Sequence, residues 1–192
     1  MSTQTMPLTD YRRKSGTNRL GLWLFLVSDA FVFAGLLVAR FNLLGLNVRP
    51  DLNQLLGLGI TLVLLLSSYC MFRAETAMSF GDYKSFSRYM MATIGLGVIF
   101  LIGVVGLEWQ IAPGGPSDGA VWSIFYAMTG FHAFHVLTGV ALLAIVFRNA
   151  RKGLYNAQRH YPVEAAAVYW HFVDVVWMFF YPALYLIGTA AL

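Results

Sequence analysis

Charge is what this chain has least of. Only 11% of its 192 residues are Asp, Glu, Lys or Arg, while 58% are hydrophobic and 16% aromatic. A globular domain carries roughly 25% charged and about 45–50% apolar residues, so a water-soluble fold is excluded. The single cysteine, Cys70, can form no internal disulfide and says nothing about redox compartment. No Walker or Rossmann glycine pattern follows a strand, which removes the soluble type of nucleotide site. Fixed-period repeats and low-complexity segments are missing too, and with them solenoids and a second domain. No small-residue cleavage site closes the first apolar run, so Arg12, Arg13 and Lys14 ahead of it introduce a retained span and not a secretory signal.

What is present is a series of five apolar runs, at about 20–41, 55–72, 90–107, 121–147 and 164–188. Each can cross a bilayer as a helix rising about 1.5 Å per residue. None has the roughly ten-residue apolar and polar alternation of a membrane barrel strand. The expectation is an all-α integral membrane protein, a bundle of five transmembrane helices in one domain (residues 19–192) behind a polar cytoplasmic tail (residues 1–18). Eleven of the 13 Lys and Arg residues fall before span one, between spans two and three, or between spans four and five. Short cytoplasmic loops retain such residues, which predicts the N-terminus inside and the C-terminus outside. Arg40 and Arg49 alone fall on the other side. The net charge of +4 follows from this topology and from contact with anionic lipid, and no nucleic acid partner is expected.

Polar groups inside the spans are costly, roughly 2.5–3.5 kcal/mol for a charged aspartate at helix centre, so each needs a partner or a purpose. Asp29 lies in span one, His132 and His135 in span four, His171 and Asp174 in span five. Counted from the inner ends of their spans, Asp29 is about 14 Å deep, Asp174 about 15 Å, His135 about 18 Å, His171 about 11 Å and His132 about 23 Å. That similarity of depth suits one buried, hydrogen-bonded cluster. His171 and Asp174 are spaced i, i+3, as are His132 and His135, so each pair shares a helix face. Trp170, Asp174, Trp177 and Tyr181 follow i, i+4, i+7, i+11, a packing stripe of large rings around a carboxyl. Ala127, Gly130, Ala133, Thr138 and Gly139 in span four, and Gly95, Gly103 and Gly106 in span three, would admit neighbouring helices closely. Pro182 is expected to bend span five. Glu108 and Trp109, at the outer end of span three, have the composition of an interface anchor.

Two chemical readings compete with a purely structural one, in which these residues are glue between helices. His132 or His135 could ligate a haem b together with His171, given room for a macrocycle. A proton-coupled transporter could use Asp29 and Asp174 as a relay, although five spans without an internal repeat match that design poorly.

Five stretches carry a resemblance to a known family: LGLWLFLVSDAFVFAGL, LLLSSYCMFRA, LGVIFLIGVVGLEW, MTGFHAFHVLTG and YWHFVDVVWMFFYPALYLIG. Together they resemble subunit III of the haem-copper terminal oxidases, the cytochrome c oxidase subunit 3 family, in its five-helix bacterial form. The last two stretches are the specific ones. The resemblance implies a non-catalytic subunit of a proton-pumping oxidase in aerobic respiration, in the cell inner (cytoplasmic) membrane, with electrons passing from cytochrome c to O2. It also implies packing on subunit I, with subunit II in the same complex, and haem and copper held by those partners with none in this chain. Bound phospholipid, support of proton uptake and protection of the active site are further implications. Subunit III of a quinol oxidase and an accessory subunit of nitric oxide reductase share this architecture. Asp29 falls where many family members have a carbodiimide-reactive glutamate and is one methylene shorter. The two N-terminal helices of the seven-helix form are expected to be missing, and with them the lipid cleft they make. On this basis His171 and Asp174 are expected to fix span five against spans one and four, with Asp29 as their cross-helix partner or beside a lipid headgroup pathway.

Overall fold

The computed structural model describes residues 7–190. Five helices in it are long and apolar enough to cross a membrane: α1 (Leu8–Leu44), α2 (Gln54–Ser79), α3 (Tyr83–Ile111), α4 (Ala120–Arg151) and α5 (Tyr161–Leu186). The first four outrun at both ends the apolar runs that predict them, and α5 begins three residues before its run and stops two short of its end. Of the polar tail expected over residues 1–18, the part from Leu8 onward is the opening of α1, and residues 1–6 lie outside the described residues. Polar residues extend a helix past the hydrocarbon because the backbone bonds continue at no cost where water begins.

Helix ends follow local chemistry. α2 starts at Asn53, whose side chain accepts from the Leu56 amide at 3.0 Å. Between α2 and α3 the chain reverses through Gly81 at φ +76°, a left-handed conformation that costs glycine little. Asp82 then caps α3, accepting from the Lys84 and Ser85 amides at 3.1 Å each. Hydrogen bonds from Ser85 hold this carboxyl below its ordinary range. The expected bend at Pro182 takes the form of a π turn over Pro182–Leu186, in which the Pro182 carbonyl accepts from the Ile187 amide at 3.0 Å. A second π turn, Ile102–Glu108, widens α3.

α5 occupies the middle, packed on α2, α4 and α1. Its Trp170 and Trp177 are buried among α2, α3 and α4. The ring of Trp170 lies where a Cβ on Gly97 or Gly139 would come within 2.7 and 2.9 Å of it. Gly139 and Gly103 thus admit a neighbour as expected, whereas Gly95 faces open space. Beyond α5 the chain pairs in parallel with the α1–α2 connection, Val48–Arg49 (β1) beside Thr189–Ala190 (β2). This strand end is opposite the basic end, where α1 and α5 begin.

Candidate functional site

The polar interior is divided into separate centres. At the first, α1 places Asp29 Oδ2 3.2 Å from Nε2 of His135 on α4. The other ring nitrogen, Nδ1, lies 2.7 Å from the Phe131 carbonyl, which can only accept, so Nδ1 carries hydrogen. Nε2 is then the ring nitrogen that faces Asp29, whose Oδ2 is buried with no hydrogen-bond partner among the described residues. This pair opens onto a cleft of about 740 Å³ among α1, α4 and α5, lined in part by Leu22, Phe25, Leu142 and Tyr169. Tyr169 closes the cleft from α5, its hydroxyl 2.9 Å from Thr138 Oγ1 and donating to the His135 carbonyl at 3.2 Å.

The second centre joins α5 to α2. Ser68 Oγ is 2.7 Å from His171 Nδ1 and lies beside the Asp174 carboxyl, whose two oxygens are buried without a hydrogen bond among the described residues. On either side, Trp170 Nε1–H donates to Ser67 Oγ at 2.8 Å and Trp177 Nε1–H to Thr61 Oγ1 at 3.0 Å. This corrects the expected arrangement. Asp29 pairs with His135 and not with span five, and His171 is tied to span two and not to spans one and four. The reason is which face of α5 carries these groups: Trp170, His171 and Trp177 turn their polar atoms to the hydroxyls of α2, and of these neighbours Tyr169 makes the hydrogen bonds to α4. Tyr181, the last of the predicted stripe, is half-buried and stacks on Tyr185 at 4.9 Å.

His132 forms no polar contact among the described residues. Its imidazole is fully buried against Trp177, Phe100 and Phe180, with centroid distances of 4.8, 5.5 and 6.4 Å, and neither ring nitrogen has a partner. The three intramembrane imidazoles therefore face a ring cage, a carboxyl and a serine, in three different places. Among the described residues no group of three His, Cys, Asp or Glu side chains converges as a metal site.

A third centre lies at the strand end. Glu108 is 1% exposed and accepts at Oε1 from the Tyr185 hydroxyl, while Oε2 is buried without a partner among the described residues. The expected interface anchor is thus an interior residue. Trp109 is half-buried and also turned inward, donating from Nε1–H to Thr129 Oγ1 at 3.1 Å. Nearby, Arg40 is fully buried and donates to four carbonyls, Ala183 and Gly45 at 2.6 Å, Val48 at 2.9 Å and Ile187 at 3.0 Å. Sequence reasoning took Arg40 only as a topology marker and passed over Ser68 and Tyr185. The Ser67–Ser68 doublet in the middle of an apolar run was a readable signal.

Five membrane-length helices around this interior define an all-helical, multi-pass membrane protein. Residues 11–189 match the family described as Cytochrome c oxidase subunit III. Among similar proteins, Cytochrome c oxidase subunit 3 of Thermostichus vulcanus is 35% identical over 181 residues, covering 88% of this chain and 86% of its own length. That of Dasypus novemcinctus is 36% identical over 184 residues, 89% of this chain and 70% of its own. That of Synechocystis sp. is 33% identical over 174 residues, 87% and 74% respectively. The chain belongs to the cytochrome c oxidase subunit III family.

Proposed function

We propose that this chain is the non-catalytic subunit III of a proton-pumping haem-copper oxidase, which passes electrons from cytochrome c to O2 in a cell inner membrane. It packs on subunit I, which holds haem and copper, with subunit II in the same complex. The basic end lies in the cytoplasm and the strand end outside. The observation that carries the non-catalytic part is the separation of the imidazoles. A bis-histidine haem needs two facing rings across one cavity, whereas His171 is bonded to Ser68 and His132 is enclosed by aromatic rings. The cleft beside Asp29 and His135, apolar over most of its wall, suits a phospholipid chain. The facing carboxyl and imidazole of that pair are the groups through which the subunit would support proton uptake by its partner.

The test is purification of the tagged chain from native membranes in mild detergent, with subunit identification and optical spectra of the complex and of the separated chain. Co-purification of a haem-copper subunit I with a colourless separated chain is expected. A separated chain that keeps a haem band, and loses it in His171→Ala, overturns the reading. Oxidation of reduced cytochrome c by the complex, and not of quinol, tests the donor.

A further inference from the structure

We propose that the outward strip of α5 left open between α1 and α2 seats a membrane-spanning helix of the oxidase's catalytic subunit. That helix would carry a basic side chain beside Glu75 and a hydrogen-bonding group beside His171. The inference rests on the subunit III reading and adds to it the surface and the chemistry of the contact.

α1 packs on α4 and α5, and α2 packs on α3 and α5. Between them α5 stays uncovered at Val175 and Met178, 54% and 50% exposed. Half-buried His171 is one turn from Val175 on the same strip. Its Nδ1 is engaged by Ser68, but Nε2 has no partner among the described residues. A ring nitrogen at this depth facing lipid would stay unsatisfied, because hydrocarbon offers it nothing. The strip therefore calls for a polar neighbour from another chain.

A second, independent mismatch lies on the same edge. Glu75 is two turns from Ser68 on α2, on the same face and about 10 Å nearer the basic end. It sits half-buried beside Glu164 and His160 and forms no hydrogen bond or ion pair with any described residue. Arg19, the cation nearest in kind, is committed to Glu164 at 2.6 and 2.8 Å. A carboxylate at the edge of the hydrocarbon, with a second carboxylate beside it and only the His160 imidazole to attract it, fits a basic group on a partner. The opposite surface differs. α4 exposes Phe134, Leu137 and Ile145, and its one exposed mid-span hydroxyl, Thr138, is already bonded to Tyr169 and the His135 carbonyl. That face suits lipid.

The experiment places a photo-crosslinking benzophenone amino acid at Val175 or at Leu137 in the assembled complex in native membranes. A crosslink to the catalytic subunit from Val175, and to lipid alone from Leu137, is expected. Crosslinks from Val175 to lipid alone, or to a second copy of this chain, while the catalytic subunit still co-purifies, overturn the surface but not the subunit reading. Failure of any catalytic subunit to co-purify overturns both. In parallel, Glu75→Gln and His171→Ala should each weaken retention of this chain by the complex in detergent about tenfold relative to Leu137→Ala, the size of one lost interhelical polar contact. Retention equal to that of Leu137→Ala overturns the pairing.

Discussion

Replacing Arg40 with methionine removes five N–H donors and a charge while keeping most of the side-chain volume. Four carbonyls lose their donor, on the α1–α2 connection and on the end of α5. Hydrogen bonds to a charged group contribute about 1.5–3 kcal/mol each, but the change also relieves the desolvation of the guanidinium. Three of the acceptors are part-buried, so water can replace Arg40 there, and the Ala183 carbonyl is the enclosed one. The net loss is therefore set at about 3 kcal/mol, the low end for breaking a buried charged cluster. This loss is local to the strand end, whose opening the Thr189 amide reports by its 2.9 Å bond to the Asn47 carbonyl. At about 1.4 kcal/mol per tenfold, hydrogen exchange at Thr189 should accelerate roughly a hundredfold in Arg40→Met, with amides in the middle of α5 unchanged. Arg40→Lys keeps the charge but offers a point donor in place of a fork, so its exchange should fall between the two. Exchange at Thr189 indistinguishable from the unaltered chain would refute the claim that Arg40 holds the C-terminal segment.

Tyr185→Phe leaves both oxygens of the Glu108 carboxyl without a donor and should destabilise the strand end by about 1–3 kcal/mol, read as earlier thermal aggregation in detergent. The loss should be smaller in a Glu108→Leu background, as a double-mutant cycle would show. Gly57→Ala puts a Cβ 2.3 Å from Tyr185 Cε1, so the ring must move. An overpacking cost of about 1–3 kcal/mol is expected, with the same strand-end signature. Asp29→Asn keeps a hydrogen-bonding partner for His135 Nε2 and should assemble normally, whereas Asp29→Leu should not. Equal yields of both variants in the purified complex would rule out a hydrogen-bonding role.

The five spans were legible because each is a long apolar run, and the polar residues likewise, because each interrupts one. Their pairing was not, since depth along a helix says little about azimuth. Asp29 and His135 do meet at one level, yet α5 directs its polar face to α2, a choice made by Ser67, Ser68 and Thr61, which cost too little in a span to stand out. Glu108 shows a further limit. On a regular α-helix eight residues beyond Phe100 it would sit about 80° away from the face on which Phe100 is buried, toward lipid and headgroups. The π turn at Ile102–Glu108 takes more residues per revolution and brings the carboxyl back to the buried face, opposite the Tyr185 that a second π turn presents. Pro182 announces the second turn, since a residue without an N–H cannot complete the α pattern. Nothing in IGVVGLE announces the first.

α1 illustrates why the polar contacts sit where they do. Only 11% of its most apolar window is buried, against 56% for α5, so side-chain packing alone gives it little hold. In lipid the tails around it are as apolar as any leucine surface, and close packing or interhelical hydrogen bonds must supply the attraction. α1 has a polar clasp at each level: Arg19 to Glu164 at the basic end, with the Tyr161 amide donating to the Tyr11 hydroxyl at 3.1 Å nearby, Asp29 to His135 in the middle, and Arg40 to the end of α5 at the other. The first is exposed and contributes little. The middle one borders an open cleft, and Arg40 is the only fully buried one of the three. The attachment of α1 is therefore graded, firm at the strand end and loose at the basic end, so any motion of α1 that opens the cleft would pivot about Arg40.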